Sequence, residues 1–220
     1  MKHHSKSSLT QKVLRSLKPQ DIRQGSDEGA YKTRVLLSLM ELENIIAETE
    51  RQIELLPTLN DYYDAVATVK SYFISWCTLS DMLAALVNVV FNLGIAKRDV
   101  TLRLVLGNEH VKKTRIPDIF KQHKQKIKTS YIRGTRNEIV HRGILNDADL
   151  ESIRARLDRL VLLAVFGEEQ EDETRQVELD LQDYLLSKQD EFTRHLSDTL
   201  EMIKEVEEYL SNVFDRTVDS

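Results

Sequence analysis

Two long stretches with an apolar residue at every third or fourth position constrain the fold of this chain most strongly. The first runs from about Tyr31 to Leu55 and the second from about Asn60 to Leu93. This spacing places the apolar side chains along one face of an α-helix, and Pro57, which lies between the stretches, ends the first helix. The sequence therefore predicts two long helices that pack against each other as a hairpin.

Few helix-breaking residues interrupt the chain, which has 7 Gly and 3 Pro among 220 residues. Shorter helices are predicted at about 99–106, from Pro117 onward and at about 150–164. The segment from about Val177 to Phe214 is predicted to form one long helix or two. Its heptad positions fit a coiled-coil seam, or alternatively a helix packed on its own bundle. The expected fold class is all-α.

Three regions are expected along the chain. Residues 1–28 are polar, basic and poorly periodic, which predicts a flexible N-terminal arm. Residues 29–167 contain the helices of a folded bundle. Residues 168–174 are mostly acidic and are predicted to form a linker. Residues 168–220 would then be a linker and a C-terminal helix, packed on the bundle or placed in an interface between two copies.

Cysteine and apolar content bear on the compartment in which the protein works. Cys77 is the only cysteine, so an intramolecular disulfide and a cysteine-based metal site are excluded. The most apolar window, residues 74–93, contains several polar residues, whereas a membrane span needs about 20 nearly uninterrupted apolar residues. The N-terminus lacks the apolar core of a signal peptide. We therefore expect a cytoplasmic protein without a membrane partner.

Three histidines outside the motif described below have no partner at the spacing of metal ligands. They are His110, His123 and His195. We expect them on the surface, and we expect neither a metal site nor a cofactor. Any chemistry would then depend on other side chains.

Charge is distributed unevenly, although the whole chain carries a net charge of -5. Residues 97–142 hold 13 Lys/Arg and 4 Asp/Glu, a net of +9, while residues 144–220 hold 8 and 21, a net of -13. A basic block of this kind can bind a polyanion such as RNA. It can equally be a solvated face that docks on the acidic tail of a neighbouring molecule. The charge pattern alone leaves both interpretations open.

The basic block contains the segment with the most specific chemistry, Arg136-Asn137-Glu138-Ile139-Val140-His141. An arginine with a histidine shortly after it is a weak signal by itself, since Arg103 and His110 have a similar spacing. There, however, Gly107-Asn108 interrupts any helix. In the better segment the asparagine and the histidine are four residues apart, so they share one face of a helix.

The start of the motif helix has two interpretations. Thr135 and Glu138 have the spacing of a capping box, with Thr135 as the N-cap. Arg136 and Asn137 would then lie in a first helical turn, where phosphate binds well. The alternative is one continuous helix from Pro117 that tolerates Gly134.

Residues 131–143, Tyr-Ile-Arg-Gly-Thr-Arg-Asn-Glu-Ile-Val-His-Arg-Gly, resemble the fourth-helix signature of the HEPN superfamily. In that signature an arginine and then a polar residue precede a histidine near the end of a helix. The resemblance implies an up-and-down bundle of four to five helices, a homodimer and metal-independent cleavage of RNA. It maps Arg136, Asn137 and His141 onto the catalytic set.

One position departs from a related pattern. In HEPN toxins that are paired with a nucleotidyltransferase antitoxin, a tyrosine often lies two residues after the histidine. Gly143 stands at that position here. Control by modification of such a tyrosine is therefore not expected.

The chemistry of these residue types agrees with the resemblance. Cleavage of RNA by its 2′-hydroxyl needs a base, an acid and a cation that stabilises the phosphorane. Free histidine has a pKa of about 6.5 and can serve as base or acid, and arginine binds two phosphate oxygens at once. One chain supplies one such histidine, whereas a two-fold dimer supplies two. Arg133, Arg142 and Lys128 are predicted to bind RNA phosphates.

Two functions from different classes are therefore expected. The first is an endoribonuclease, acting as a toxin or defence effector, with RNA as substrate and an antitoxin or regulatory protein as partner. The second is a catalytically inactive HEPN-like module that binds a nucleotide or another protein. A plain helical scaffold with an accidental motif is the third alternative.

Overall fold

The computed structural model describes residues 7–20, 26–127, 129–168 and 170–218, and it contains no strand within these residues. The prediction of an all-α fold is confirmed. The α-helices, in chain order, are α1 Ser8–Ser16, α2 Asp27–Leu55, α3 Tyr62–Val90, α4 Leu102–Gly107, α5 Glu109–Lys112, α6 Ile116–Lys126, α7 Thr129–Arg142, α8 Ala148–Val165 and α9 Glu171–Val218. Two short 3-10 helices, Leu56–Thr58 and Lys97–Asp99, lie in the connections on either side of α3.

The helices divide into two compact units. The first unit contains Met1–Ala47, Thr78–Ile127 and Ser197–Ser220, and the second contains Glu48–Cys77 and Lys128–Leu196. Three long helices, α2, α3 and α9, contribute residues to both units. The whole motif helix α7 belongs to the second unit.

Aromatic rings form the centre of the second unit. Tyr72 of α3 stacks on Phe192 of α9 with 3.6 Å between the ring centroids. Phe73 meets both of these rings edge on, at 5.7 and 5.5 Å. Phe73 also meets the ring of Tyr131 edge on, with 6.1 Å between the centroids. These contacts hold α7 against α3, and such aromatic pairs stabilise a fold beyond the area that they bury.

The two long helices α2 and α3 pack on each other, as their apolar stripes predict. In the second unit Gln52 Nε2 donates a hydrogen bond to Ser75 Oγ over 3.1 Å. In the first unit the hydroxyl of Tyr31 donates to the carbonyl oxygen of Val90 over 3.0 Å. Pro57 lies in the short 3-10 helix between them, where the sequence predicted a break.

Helix α3 is long and apolar enough to cross a membrane by length and composition, and it is the one described helix of which this is true. However, 61% of its most apolar window is buried inside the fold. Tyr72, Trp76 and Leu83 are each almost completely buried, and Cys77 is 9% exposed. This burial is that of a core helix.

Residues 1–6 and 21–25 of the predicted flexible arm lie outside the described residues, but between them the chain forms helix α1. Its apolar residues Leu9 and Val13 have no exposed surface. Ser7 caps the helix by accepting a hydrogen bond from the backbone of Thr10, and Lys12 pairs with Asp215 of α9 at 2.5 Å. Leu9 and Val13 do have a helical spacing, but a helix of nine residues is too short for its apolar period alone to predict it. They become anchors only where other helices of the unit cover them.

Helix α9 begins earlier than the sequence predicted, because residues 171–174 of the supposed linker already belong to it. Its first turn holds Glu171, Asp172 and Glu173, and acidic side chains stabilise a helix N-terminus. The sequence left open a coiled-coil seam or a helix packed on its own bundle. The heptad positions are buried within the chain itself, so no second copy is needed to cover them. These positions are Leu196, Ile203 and Leu210.

Two of the three histidines that were expected on the surface are buried. His123 is 3% and His195 is 5% exposed, whereas His110 is exposed. The prediction failed for His123 because tertiary packing supplies a partner from a distant part of the chain: Nε2 of His123 lies 3.0 Å from Oε1 of Glu205. Within the described ranges no group of three or more His, Cys, Asp or Glu side chains could hold a metal ion.

Candidate active site

The motif lies in the middle of one regular helix and not at a helix start. Arg136 and Asn137 are the eighth and ninth of the 14 residues of α7. Thr135 is not an N-cap, because its hydroxyl donates to the carbonyl oxygen of Tyr131 over 3.1 Å, as threonine does inside helices. The predicted capping box and the phosphate site at a helix N-terminus are therefore wrong.

The alternative of one continuous helix from Pro117 is also wrong. Helix α6 ends at Lys126 and α7 begins at Thr129, with Ile127 in a turn between them. One part of that alternative is correct, since Gly134 lies within α7 without breaking it.

Two isoleucines anchor α7 and thereby orient the motif. Ile132 and Ile139, seven residues apart on the same face, are 0% and 7% exposed. Asn137 and His141 each lie two residues from Ile139, which is about 200° around a helix. Both side chains are accordingly exposed to solvent. Arg136, at the edge of the buried face, is half-buried.

The contacts of the motif residues are few. Nη1 of Arg136 donates to Oδ1 of Asn137 over 3.3 Å, so the asparagine holds the guanidinium beside the exposed face. In the part of the chain that the structure describes, the imidazole of His141 makes no hydrogen bond or ion pair. The imidazole is thus available to a molecule outside the chain.

The predicted phosphate-binding residues differ in position. Arg133 is exposed and lies one turn before Asn137 on the same face. Arg142 is exposed but turns away from that face, since its Nη1 is bonded to Oε2 of Glu138 at 3.1 Å. Lys128 lies outside the described residues. The structure therefore groups Arg133 with the motif, and it does not group Arg142 with it.

The end of α7 is fixed by Gly143 and by Lys70, and the sequence gave no reason to select Lys70. Gly143 ends the helix with a φ of 69°, which favours glycine, and its amide donates to the carbonyl oxygen of Ile139 over 2.9 Å. Nζ of Lys70 on α3 then donates to the carbonyl oxygen of Gly143 over 2.6 Å. Lys70 is 73 residues away in sequence, so no local pattern could have indicated this contact.

The loop after the motif is held again at its far end, by Asp147. One carboxylate oxygen of Asp147 caps α8 by accepting from the amide of Leu150 over 3.3 Å. The other accepts from the hydroxyl of Tyr184 at 3.0 Å and lies 3.2 Å from Nζ of Lys188. The sequence gave no signal for these two partners on α9.

Charges around Asp147 reinforce these contacts. Lys188 also lies 3.2 Å from Glu191. Burial alone would lower the pKa of Lys188, but Glu191 and Asp147 together raise it. Burial, followed by the charge of Asp147, raises the pKa of Tyr184. Lys188 therefore stays charged and Tyr184 stays neutral near pH 7, and the loop from Gly143 to Asp147 is held between α3 and α9.

Comparison with known proteins identifies the family. Neither the curated proteins nor the solved structures contain a match. The model of the Cthe2314-like HEPN family matches residues 57–217, well over half of the chain, including all of α7 and most of α9. The chain therefore belongs to the Cthe2314-like HEPN family.

Proposed function

We propose that this HEPN protein is a metal-independent endoribonuclease whose active site forms when two copies bring their α7 helices together. One observation carries the proposal. Asn137 and His141 lie next to each other on the exposed face of α7, and His141 has no partner in the described part of its own chain. Since the isoleucines on the opposite face anchor the helix, these polar side chains are not needed for folding and are free to bind a substrate.

The proposed reaction uses the 2′-hydroxyl of the RNA as the nucleophile. A neutral imidazole of one copy removes the hydroxyl proton, and the oxygen attacks the adjacent phosphorus. The guanidinium of Arg136 stabilises the negative charge of the phosphorane. The bond from phosphorus to the 5′-oxygen then breaks, and the protonated imidazole of the other copy donates its proton to that oxygen. The products are a 2′,3′-cyclic phosphate and a 5′-hydroxyl.

The assembly of two copies is supported by Gly134. This residue is exposed on the motif face, three residues before Asn137. A Cβ atom at Gly134 would have no atom of its own chain within 4 Å, so the fold of one chain does not require glycine there. Glycine inside a helix costs about 1 kcal/mol relative to alanine. A second α7 helix that crosses close to this position would offset that cost, because glycine permits close approach of a backbone.

A competing function is favoured by the ion pair of Arg142. Because Glu138 neutralises this arginine, the motif face has less positive charge than the basic block of the sequence predicted. An inactive HEPN module that binds a single nucleotide or a protein partner would need less positive charge than an enzyme that holds an RNA strand.

If the protein is the proposed ribonuclease, it would work in the cytoplasm as a toxin or defence effector.

The deciding experiment is incubation of purified protein with total RNA, with and without EDTA. We expect cleavage that EDTA leaves unchanged and that His141→Ala removes. His110→Ala is the matched control, since His110 is also exposed but lies outside the motif and in the other unit. Circular dichroism verifies that both variants fold. If His141→Ala cleaves like the parent, or if the parent does not cleave while it binds a nucleotide, the proposed activity is wrong.

A further inference from the structure

The last two turns of α8 expose a patch of apolar side chains in the second unit. Residues 161–166 read Val-Leu-Leu-Ala-Val-Phe. Four of them are 61–80% exposed, namely Val161, Leu162, Val165 and Phe166. We refer to these four residues as the α8 patch. The described residues of the chain therefore leave most of the surface of these four side chains open to solvent.

The fold of the chain does not explain the α8 patch. The buried side of α8 is formed by Leu150, Ile153 and Leu160, each less than 10% exposed. Scattered single apolar residues on a surface are ordinary. A run of exposed apolar residues that form one continuous area is unusual on a surface. Such areas commonly mark a site of interaction with another molecule.

A cavity of about 460 Å³ lies where α8 ends and α9 begins, and its α8 lining residues, Leu160 and Ala164, precede Val161 and Val165 of the α8 patch by one position each. Three glutamates also line it, Glu168, Glu171 and Glu178, and we call these three residues the acidic rim. Arg175 also lines the cavity, so the acidic side chains are in excess. The site thus combines an apolar surface with an acidic rim.

We propose that the α8 patch and this cavity bind a basic amphipathic helix of a partner protein. Leucine or other large apolar side chains of that helix would cover Val161 and Val165. Its Lys or Arg side chains would reach the acidic rim. A second copy of this chain is the less suitable occupant. In a two-fold dimer the same patch faces itself, and the two acidic rims would then repel each other. The proposal is independent of whether the motif cleaves RNA.

The test uses a probe of defined chemistry. The probe is a labelled peptide of about 18 residues, or five helical turns, made of Leu and Lys with leucines at every third or fourth position. A second peptide has the same composition in an order that gives no apolar face. We expect the first peptide to bind the full-length protein at least about tenfold more tightly, a difference of about 1.4 kcal/mol. Fluorescence anisotropy measures both affinities.

Variants locate the binding. The double variant Val165→Ser/Phe166→Ser should weaken the first peptide about tenfold, and Glu168→Gln/Glu171→Gln should weaken it and reduce its salt dependence. These side chains are exposed, and Asp172 and Glu173 keep the first turn of α9 acidic, so the melting temperature should hardly change. Leu37→Ser, at an apolar position of α2 that is 53% exposed, is the matched control and should bind like the parent.

Three results would overturn the proposal. Equal binding of both peptides would mean that no apolar face is recognised. Loss of affinity in the glutamate variant alone would mean that the peptide binds by charge only. If sedimentation shows that Val165→Ser/Phe166→Ser dissociates a dimer and peptide binding does not change, a second copy is the occupant of the patch.

Discussion

Nζ of Lys70 lies 2.6 Å from the carbonyl oxygen of Gly143, two residues after the motif histidine. The ammonium thus sits at the C-terminal end of α7, where a cation complements the partial negative charge of the helix carbonyls. Because His141 is in the last turn of this helix, any fraying of that turn would move the imidazole. The contact therefore connects the core helix α3 to the position of the proposed catalytic group.

Lys70→Met should impair cleavage more than it impairs folding. The hydrogen bond is exposed, so its loss should lower the free energy of unfolding by no more than about 1 kcal/mol. A misplaced catalytic group can reduce the rate far more than that. Lys70→Arg should retain much of the rate, since it keeps a donor and a positive charge. Urea denaturation and the RNA cleavage assay give the two quantities.

A matched control is Lys97→Met, which removes an exposed pair with Glu41 in the other unit. It should leave cleavage unchanged. If Lys70→Met loses stability and rate in equal proportion, the contact is only structural.

Thr135→Ala should not destabilise the protein, and Asp147→Ala should. Thr135 bonds within α7 to Tyr131, and alanine has the higher helix propensity, so this change should be neutral or stabilising by a few tenths of a kcal/mol. Asp147 caps α8 and binds Tyr184 and Lys188, so its loss should cost about 1–3 kcal/mol. Thermal unfolding of the two variants measures this contrast. A clear loss in Thr135→Ala would restore the capping box that the sequence suggested.

The failed cap illustrates which features the sequence could predict. The stripes of α2 and α3 were predictable because a period of three to four residues is a local property. Thr135 and Glu138 also gave a local pattern, but such a pattern does not reveal whether the helix has already begun. Glu205, the partner of His123, and Tyr184, a partner of Asp147, are each more than 35 residues away in sequence. Contacts of this kind come from tertiary packing, which a single sequence does not display.

The motif itself was the easiest part of the site to predict, because its residues lie within one and a half turns. The spacing of Asn137 and His141 predicted that these two residues share one face of the helix. The spacing of Glu138 and Arg142, four residues apart, allowed their pairing but could not decide it, since either a phosphate or a carboxylate can occupy an arginine. It also could not give Lys70, which comes from a different helix.

Gly134→Ala should stabilise the single chain and weaken the proposed dimer. Its Cβ would enter open space in one copy, so the change should add about 0.5–1 kcal/mol to the free energy of unfolding. The same methyl group would hold two α7 helices apart. Analytical ultracentrifugation should therefore show a dissociation constant raised about tenfold or more. Gly107→Ala, at another helical glycine with open space around its Cβ position, is the control and should not affect association. Unchanged association of Gly134→Ala would place the interface elsewhere.

Glu207→Gln should stabilise the protein above neutral pH. Glu207 of α9 is 9% exposed in the first unit. Burial raises its pKa from 4.5 to about 7, and the charge of Glu43 adds to this, while a hydrogen bond with Ser7 opposes it. A carboxyl group whose pKa is raised in the folded state favours folding when it is neutral. Its contribution is therefore complete below about pH 4.5 and is lost as the pH rises through about 7.

The shift in the pKa of Glu207 sets the size of this effect. At 1.36 kcal/mol for each pH unit, the loss between pH 4.5 and pH 8 amounts to no more than about 3 kcal/mol. Glutamine keeps a neutral group that can still bond to Ser7, so Glu207→Gln should be the more stable protein at pH 8 and equal to the parent near pH 4.5. Glu208→Gln changes the neighbouring exposed carboxylate and should leave the pH profile as it is. Urea denaturation across this range measures the difference. A stabilisation by Glu207→Gln that is the same at every pH would show that the carboxyl group of Glu207 does not titrate in this window.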